Sequence, residues 1–313
     1  MADGFILVLS GGVGGAKLCL GLQRMLPTGS LRIAVNTGDD FEHLGLRICP
    51  DIDTTIYTLS GLANPELGWG RRDETWTFMR TLATLGGETW FQLGDGDLAL
   101  HVERTRRLGS GETLSAVTGD IASRLGIDAA IIPMSDDPVR TIVTTAEGEL
   151  GFQDYFVRQR CAPVVSSLHF RGAEAAQVAD GVRQSLRSPD LLSIVIAPSN
   201  PYLSVDPILS LPEMRSMLRE RGVPVIAVTP IIGDAAVKGP TAKIMRELGV
   251  TPSPLAIVEH YRGLIDGFVL DSRDAALADC VGVPVQLCDT LMVTLEDRER
   301  VASSVLEFSL RLA

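Results

Sequence analysis

The chain has 313 residues, 45% of them hydrophobic, enough for one large α/β domain or two closely joined ones around a substantial core. Its formal net charge of −11 argues against nucleic acid or an anionic membrane as the main partner, so an anionic substrate would need a local positive patch or a metal ion. Five cysteines without C-x-x-C spacing argue against zinc and suit a reducing cytoplasm; the N-terminus carries no signal-peptide pattern, and no apolar run approaches the ~18 residues that span a bilayer.

Phe5–Leu9 is an apolar run of strand length, short enough to be buried on both faces. Gly11, Gly12, Gly14 and Gly15 follow, then the amphipathic run Ala16–Met25. Strand, tight turn and helix in this order form a phosphate cradle when the helix N-terminus is left open to an anion, and Lys17 would add a charge. The same residues would also serve a connection that merely needs small side chains. The loop is not a Walker A motif, because Ala16 and Leu18 stand where G-K-[ST] needs Gly and Ser/Thr; Lys17 occupies the third glycine of the dinucleotide fingerprint.

Leu31–Val35 reads as a second strand and completes a βαβ unit. Ligands sit beyond the carboxyl ends of such strands, which brings the glycine loop and Asn36-Thr37-Gly38-Asp39-Asp40 to one face. Pro50-Asp51-Ile52-Asp53 opens a helix, with Asp51 as its expected N-cap and Asp53 in the first turn. Between Trp69 and Arg107 the pattern is of short helices, with Trp90–Asp95 expected as a strand edge entering a turn. A helix over Thr113–Leu125, a strand over Ala129–Ile132 and a hairpin around Glu147-Gly148 follow. Strands are expected again at Ser193–Ala197, Val223–Val228, Phe268–Leu270 and Val283–Leu287, and a closing helix at Glu296–Leu312. The whole reads as a single α/β domain over 1–313: a mostly parallel sheet, helices on both faces, and a largely helical, cap-like insertion at about 64–160.

Asp39, Asp40, Asp51 and Asp53 fall within fifteen positions on loops of one face. Clustered carboxylates without histidines favour a hard cation such as Mg²⁺, which beside a phosphate cradle would bridge diphosphate oxygens. Asp39 in a turn and Asp51 as a helix cap would equally account for those two; Asp53 is harder to dismiss. Ser199 and Asn200, fixed between two prolines after a strand, could bond a base, sugar or phosphate, or simply make a turn. Gly233, Lys238 and Gly239 form a second glycine-and-lysine loop. The four histidines are scattered, and no G-x-S-x-G is present, so a Ser–His–Asp hydrolase is a poor fit.

Taken together, SGGVGGAKL (10–18), NTGDDF (36–41), PDIDTTIYTLSG (50–61), GWGRRDETW (68–76), WFQLGDGDLALH (90–101), PMSD (133–136), GFQDYFV (151–157), APSNPYLSVDPIL (197–209) and PIIGDAAVKGP (230–240) resemble the 2-phospho-L-lactate transferase family of deazaflavin coenzyme F420 biosynthesis. The resemblance runs from Leu9 to about Leu270. It implies a Rossmann-like fold and a magnesium-dependent enzyme that moves a phospho-acid group from a guanosine diphosphate ester to the ribityl hydroxyl of 7,8-didemethyl-8-hydroxy-5-deazariboflavin, releasing GMP. The family's acceptor contact at the second Asp of D-[LI]-D-T matches Asp53. The contact just before L-G-D matches Gln92, where some archaeal members carry Lys.

On this reading Gly11, Gly12, Gly14, Gly15 and Lys17 cradle the diphosphate, and Asn36, Thr37, Ser199 and Asn200 hold the nucleotide side. Asp39, Asp40, Asp51 and Asp53 are the metal candidates. Asp53 and Asp40 are the catalytic candidates, acting by in-line displacement with no covalent enzyme intermediate. The expected partners are the two small-molecule substrates, in the cytoplasm, with no nucleic acid or membrane; a homodimer would be ordinary. The default acid is 2-phospho-L-lactate, with Thr37–Asp40 and Ser135–Asp137 as its candidate lining; phosphoenolpyruvyl and 3-phosphoglyceryl donors are the alternatives. A non-catalytic nucleotide-binding regulator on the same scaffold is the rival from another class.

Overall fold

The apolar runs become strands of one sheet. The computed structural model describes residues 4–65, 68–233, 235–236 and 239–313; Lys238 of the second glycine-and-lysine loop lies outside them. In chain order, β1 (Phe5–Ser10), α1 (Gly12–Met25) and β2 (Leu31–Val35) form the expected βαβ unit. The short hairpin β3 (Phe41–His43) and β4 (Leu46–Ile48) leads to α2 (Pro50–Leu59), then α3 (Thr77–Thr84), α4 (Asp95–Gly109), α5 (Leu114–Arg124) and β5 (Ala130–Pro133). Next come β6 (Arg140–Thr145), β7 (Gly148–Gly151), β8 (Ser167–Arg171), α6 (Asp180–Arg187), β9 (Leu191–Ile196), α7 (Asp206–Leu209), α8 (Met214–Glu220) and β10 (Val225–Val228). The chain closes through β11 (Ile231–Ile232), β12 (Ala235–Ala236), α9 (Thr241–Glu247), α10 (Pro254–His260), β13 (Gly267–Asp271), β14 (Val285–Cys288) and α11 (Leu295–Leu312).

The seven-stranded sheet has the order β14-β13-β10-β9-β1-β2-β5, and every pairing in it is parallel. All six residues of β1 are buried, because helices cover both faces. Ile6 and Val8 point to the layer holding Leu18 and Leu22 of α1, Ile52 and Ile56 of α2, and Val301 and Val305 of α11. Leu7 and Leu9 point to the other layer, with Val182, Ile208, Leu218, Ile257 and Tyr261. That alternation is the period of two of a strand; each buried Leu contributes roughly 1.5–3 kcal/mol.

The chain leaves β1 toward β2 on one side and later returns to place β9 on the other, so the order reverses between β1 and β9. Leu9 lies opposite Ala34 on one side and Ile196 on the other, and the carboxyl ends of β1, β2 and β9 therefore finish level. This is the crevice where an open α/β sheet binds its ligand.

Segment 64–160 contributes α3–α5 together with the expected strand β5, at the edge of the central sheet, and the expected β6–β7 hairpin, which β8 extends into an antiparallel sheet. Two local expectations change. Trp90–Gly94 is irregular rather than a strand edge, and α4 starts at Asp95. Side chains take the backbone donors of the helix starts beside it: Glu74 accepts from Gly96 N (2.6 Å) and Asp97 N (2.8 Å) of α4, and Asp95 from Thr77 N (3.1 Å) and Phe78 N (3.0 Å) of α3. Asp51 is not a helix cap. Cys49 holds that position and Pro50, with its preset φ, begins α2, which moves Asp51 inside the first turn.

Candidate functional site

The glycine loop closes on residues from distant parts of the chain. Gly11 is extended (φ −161), so its constraint is space: a Cβ there would stand 2.5 Å from Asp51 Oδ2 and 2.7 Å from Ser204 Cβ. Gly12 has φ +64, a conformation that favours glycine, and α1 begins at it. Ser199, beyond β9, clamps the loop from the far side: its Oγ accepts from Gly11 N (3.2 Å) and donates to Gly11 O (2.7 Å). Asn36, beyond β2, ties the third wall. Its Nδ2 donates to Asp51 Oδ2 (2.9 Å) and Leu203 O (3.2 Å), and its Oδ1 accepts from Gly38 N (2.7 Å). Asn200 Oδ1 accepts from Tyr202 N and Leu203 N, which leaves its buried Nδ2 without a partner.

The four aspartates do gather here, each less than 10% exposed. Burial pushes the Asp39 carboxyl well above its ordinary range, and the neighbouring Asp51 charge pushes the same way. Burial raises Asp40 to about 7 against the pull of Arg140. Burial raises Asp51 to about 6, opposed by hydrogen bonds from Asn36 and the Gly12 backbone. Asp39 Oδ1 and Asp40 Oδ1 are buried with no hydrogen-bond donor. Carboxylates crowded in this way want a cation.

Asp53 has one already. Both of its oxygens accept from the guanidinium of Arg104, through Nη1 at 3.2 Å and through Nη2, and Arg104 is 1% exposed. His101 stands beside the pair, its Nδ1 3.7 Å from Asp53 Oδ2 and its Nε2 3.2 Å from Asp97 Oδ1, and Tyr57 OH donates to Asp97 (2.5 Å). Burial opposes the Asp97 charge, but His101 and Tyr57 hold its carboxyl below the ordinary range. Asp97, His101 and Arg104 follow at helical spacing on one face of α4. That i, i+4, i+7 pattern of acid, histidine and arginine was the readable signal for a network which the scattered histidines alone concealed.

Lys17 is tied to the far end of the chain. Its Nζ donates to Met292 O (2.6 Å), in the connection between β14 and α11. Gln92 lies at the exposed rim with its Nε2 on Thr89 O (2.7 Å). Next to it, Phe41, His43, Trp90 and Phe91 pack ring on ring, with centroids 4.9–6.1 Å apart. The described residues contain no preformed group of three or more His, Cys, Asp or Glu metal ligands. Two orphaned carboxylate oxygens nevertheless fit Mg²⁺, which takes one or two carboxylates and completes its shell with water and phosphate. Asp53, committed to Arg104, fits that role poorly while the pair is intact.

Comparison with known proteins agrees with this architecture. The family model described as 2-phospho-L-lactate transferase CofD matches residues 6–283. A phosphoenolpyruvate transferase of Streptomyces griseus is 41% identical over 298 residues, covering 91% of this chain and 93% of that protein. A 2-phospho-L-lactate transferase of Methanosarcina acetivorans is 39% identical over 303 residues, covering 96% of this chain and 97% of that protein. Among solved structures, a UPF0052 family member from Bacillus halodurans superposes with a TM-score of 0.64 at 14% identity, covering 98% of this chain and 99% of that one, a likeness of fold alone. No helix among the described residues is long and apolar enough to cross a membrane. With a family model spanning most of the sequence, the chain belongs to the 2-phospho-L-lactate transferase family.

Proposed function

We propose that the chain transfers a phosphorylated three-carbon acid from its guanosine diphosphate ester to the ribityl hydroxyl of 7,8-didemethyl-8-hydroxy-5-deazariboflavin, as a cytoplasmic step of coenzyme F420 biosynthesis. The observation that carries this is the buried Asp39–Asp40–Asp51 cluster set against the glycine loop at the reversal of strand order. A new bond joins the acceptor oxygen to the acid-bearing phosphorus, the bond from that phosphorus to GMP breaks, and the hydroxyl proton is lost. Mg²⁺, held by Asp39 and Asp40 with Asp51 behind them, would neutralise charge on the diphosphate.

The chain's own groups supply the rest. First-turn N–H groups of α1 face the phosphates, and Thr37, Ser199 and Asn200 line the nucleotide side. Asp53, aimed by Arg104, orients the acceptor hydroxyl, while the Phe41–Trp90–Phe91 surface and the Gln92 amide receive the flat deazaflavin.

The donor acid is 2-phospho-L-lactate by default. The Streptomyces relatives, named phosphoenolpyruvate transferases at 39–41% identity, favour a phosphoenolpyruvyl donor as the second reading. Purified protein, deazaflavin precursor and Mg²⁺ incubated with each guanylylated donor, with products read by mass spectrometry, decide between them. No deazaflavin product from any donor would end the proposal. A tenfold preference for the enolpyruvyl donor, about 1.4 kcal/mol, would change only the acid.

A further inference from the structure

The transferred acid carries a carboxylate, and the proposed site is lined with aspartates, so a counter-charge for that carboxylate has to come from somewhere. Arg140, the first residue of β6, is placed for it. Thr141 N donates to Gly38 O (2.7 Å), which anchors this end of β6 against the 36–40 loop. The half-buried Arg140 guanidinium donates to the carbonyl of its own neighbour Val139 (2.6 Å). Arg47, on β4, is also half-buried. Its cross-strand neighbour on β3 is Glu42, yet among the described residues neither Arg47 nor Arg140 is in an ion pair. Burial lowers the Arg140 pKa; Asp40 counters this, and Arg47 adds to it. A half-buried arginine with no carboxylate partner among the described residues, anchored beside the 36–40 loop, is an arrangement that an incoming anion relieves. In the same loop the Thr37 hydroxyl, 2% exposed, has no hydrogen-bond partner.

We propose that Arg140, assisted by Arg47, binds the carboxylate of the phospho-acid carried by the donor, and so selects donors that bear an acid over those that do not. The proposal rests on the transferase reading above. A guanidinium suits the role, since it matches a carboxylate with two parallel N–H donors and stays charged when partly buried. Neither arginine is asked to touch the reacting phosphorus, so the expected loss falls on donor binding rather than on chemistry.

The test compares guanylylated 2-phospholactate, guanylylated phosphoenolpyruvate and the ethyl ester of GDP, which lacks the carboxylate. Each is titrated calorimetrically into wild type, Arg140→Gln, Arg140→Lys and Arg47→Gln without acceptor. Wild type should bind at least one acid-bearing donor tenfold or more tighter than the ethyl ester. Arg140→Gln should abolish that margin while leaving ethyl-ester affinity within twofold, Arg140→Lys should restore part of it, and Arg47→Gln should narrow it. Kinetics at saturating Mg²⁺ should show the loss chiefly in donor KM. Equal weakening of all three ligands by Arg140→Gln, or no margin in wild type, would overturn the assignment. Because binding is read without acceptor, a wild type that discriminates but gives no deazaflavin product counts against the transferase reading and leaves this one standing.

Discussion

The two ends of the carboxylate cluster hold the same residue type in opposite electrostatic states. At the loop end, Asp39 and Asp40 are buried, short of donors and driven toward protonation. At the helix end, Asp53 is as buried but carries its counter-ion with it, in Arg104 of α4. A position next to a phosphate cradle therefore does not by itself make an aspartate a metal ligand. What decides is whether the fold has supplied a cation: the loop end is left for one from solution, and the helix end has a permanent one.

The largest effect is expected from breaking the helix end. Arg104→Ala would strand Asp53 as an unpaired buried charge, at a cost of about 3–5 kcal/mol in unfolding free energy. The charge-balanced pair Asp53→Asn with Arg104→Met should recover most of that stability and none of the activity. Urea melts of wild type and the two variants check this. If the single and double variants melt alike, the pair is not what holds α4 to α2.

The loop end should behave in the reverse way. Asp40→Asn is expected to lower turnover by roughly 10²–10³-fold, about 3–4 kcal/mol, without destabilising the metal-free protein. The sign follows from Asp40 titrating at about 7 in the folded chain, above its ordinary range. The folded state then holds a proton that the unfolded state has lost, so in EDTA stability should fall as pH rises from about 4 toward 7. Asp40→Asn should flatten that slope and melt above wild type at pH 8, while added Mg²⁺ should stabilise wild type more than the variant. A wild-type stability that rises through this window would contradict the assignment of an uncompensated carboxylate.

A smaller effect is expected where the glycine loop meets the cluster. Gly11→Ala would put a methyl against Asp51 and Ser204, an overpacking worth about 1–3 kcal/mol. Calorimetry with GDP should show weaker binding as the loop shifts. Unchanged GDP affinity would separate the loop from the nucleotide.

Much of this was legible in the sequence because it is written in short range. Four-to-six-residue apolar runs gave the strands of a doubly covered sheet, and the reversal of strand order brought together Gly11, Asn36 and Ser199. Long-range pairing was not legible. Nothing around Asp53 announces that Arg104, fifty-one positions later, takes both of its oxygens. The Asp51 cap failed on competition between neighbours, since Pro50 is the better first residue of a helix and displaces the cap to Cys49. The expected strand edge at Trp90–Asp95 failed where α4 begins: Asp95 opens the helix, and Glu74 accepts from its first-turn Gly96 N and Asp97 N.

Lys17 offers the smallest effect and the sharpest test of where the phosphate end of the site stops. Its position one turn into α1 suggests a charge for the cradle, but its Nζ donates to Met292 O at 2.6 Å, which ties α1 to the connection before α11. A strut of this kind, partly exposed, contributes about 1 kcal/mol to stability. Lys17→Met should therefore lower the melting midpoint slightly and leave GDP affinity within about twofold, well short of the ~1.4 kcal/mol that a tenfold loss represents. The opposite result, a tenfold weaker GDP complex with an unchanged melt, would mean that the lysine leaves Met292 when the nucleotide arrives. The cation for the phosphates would then come partly from α1, and the loop end would need less from its metal.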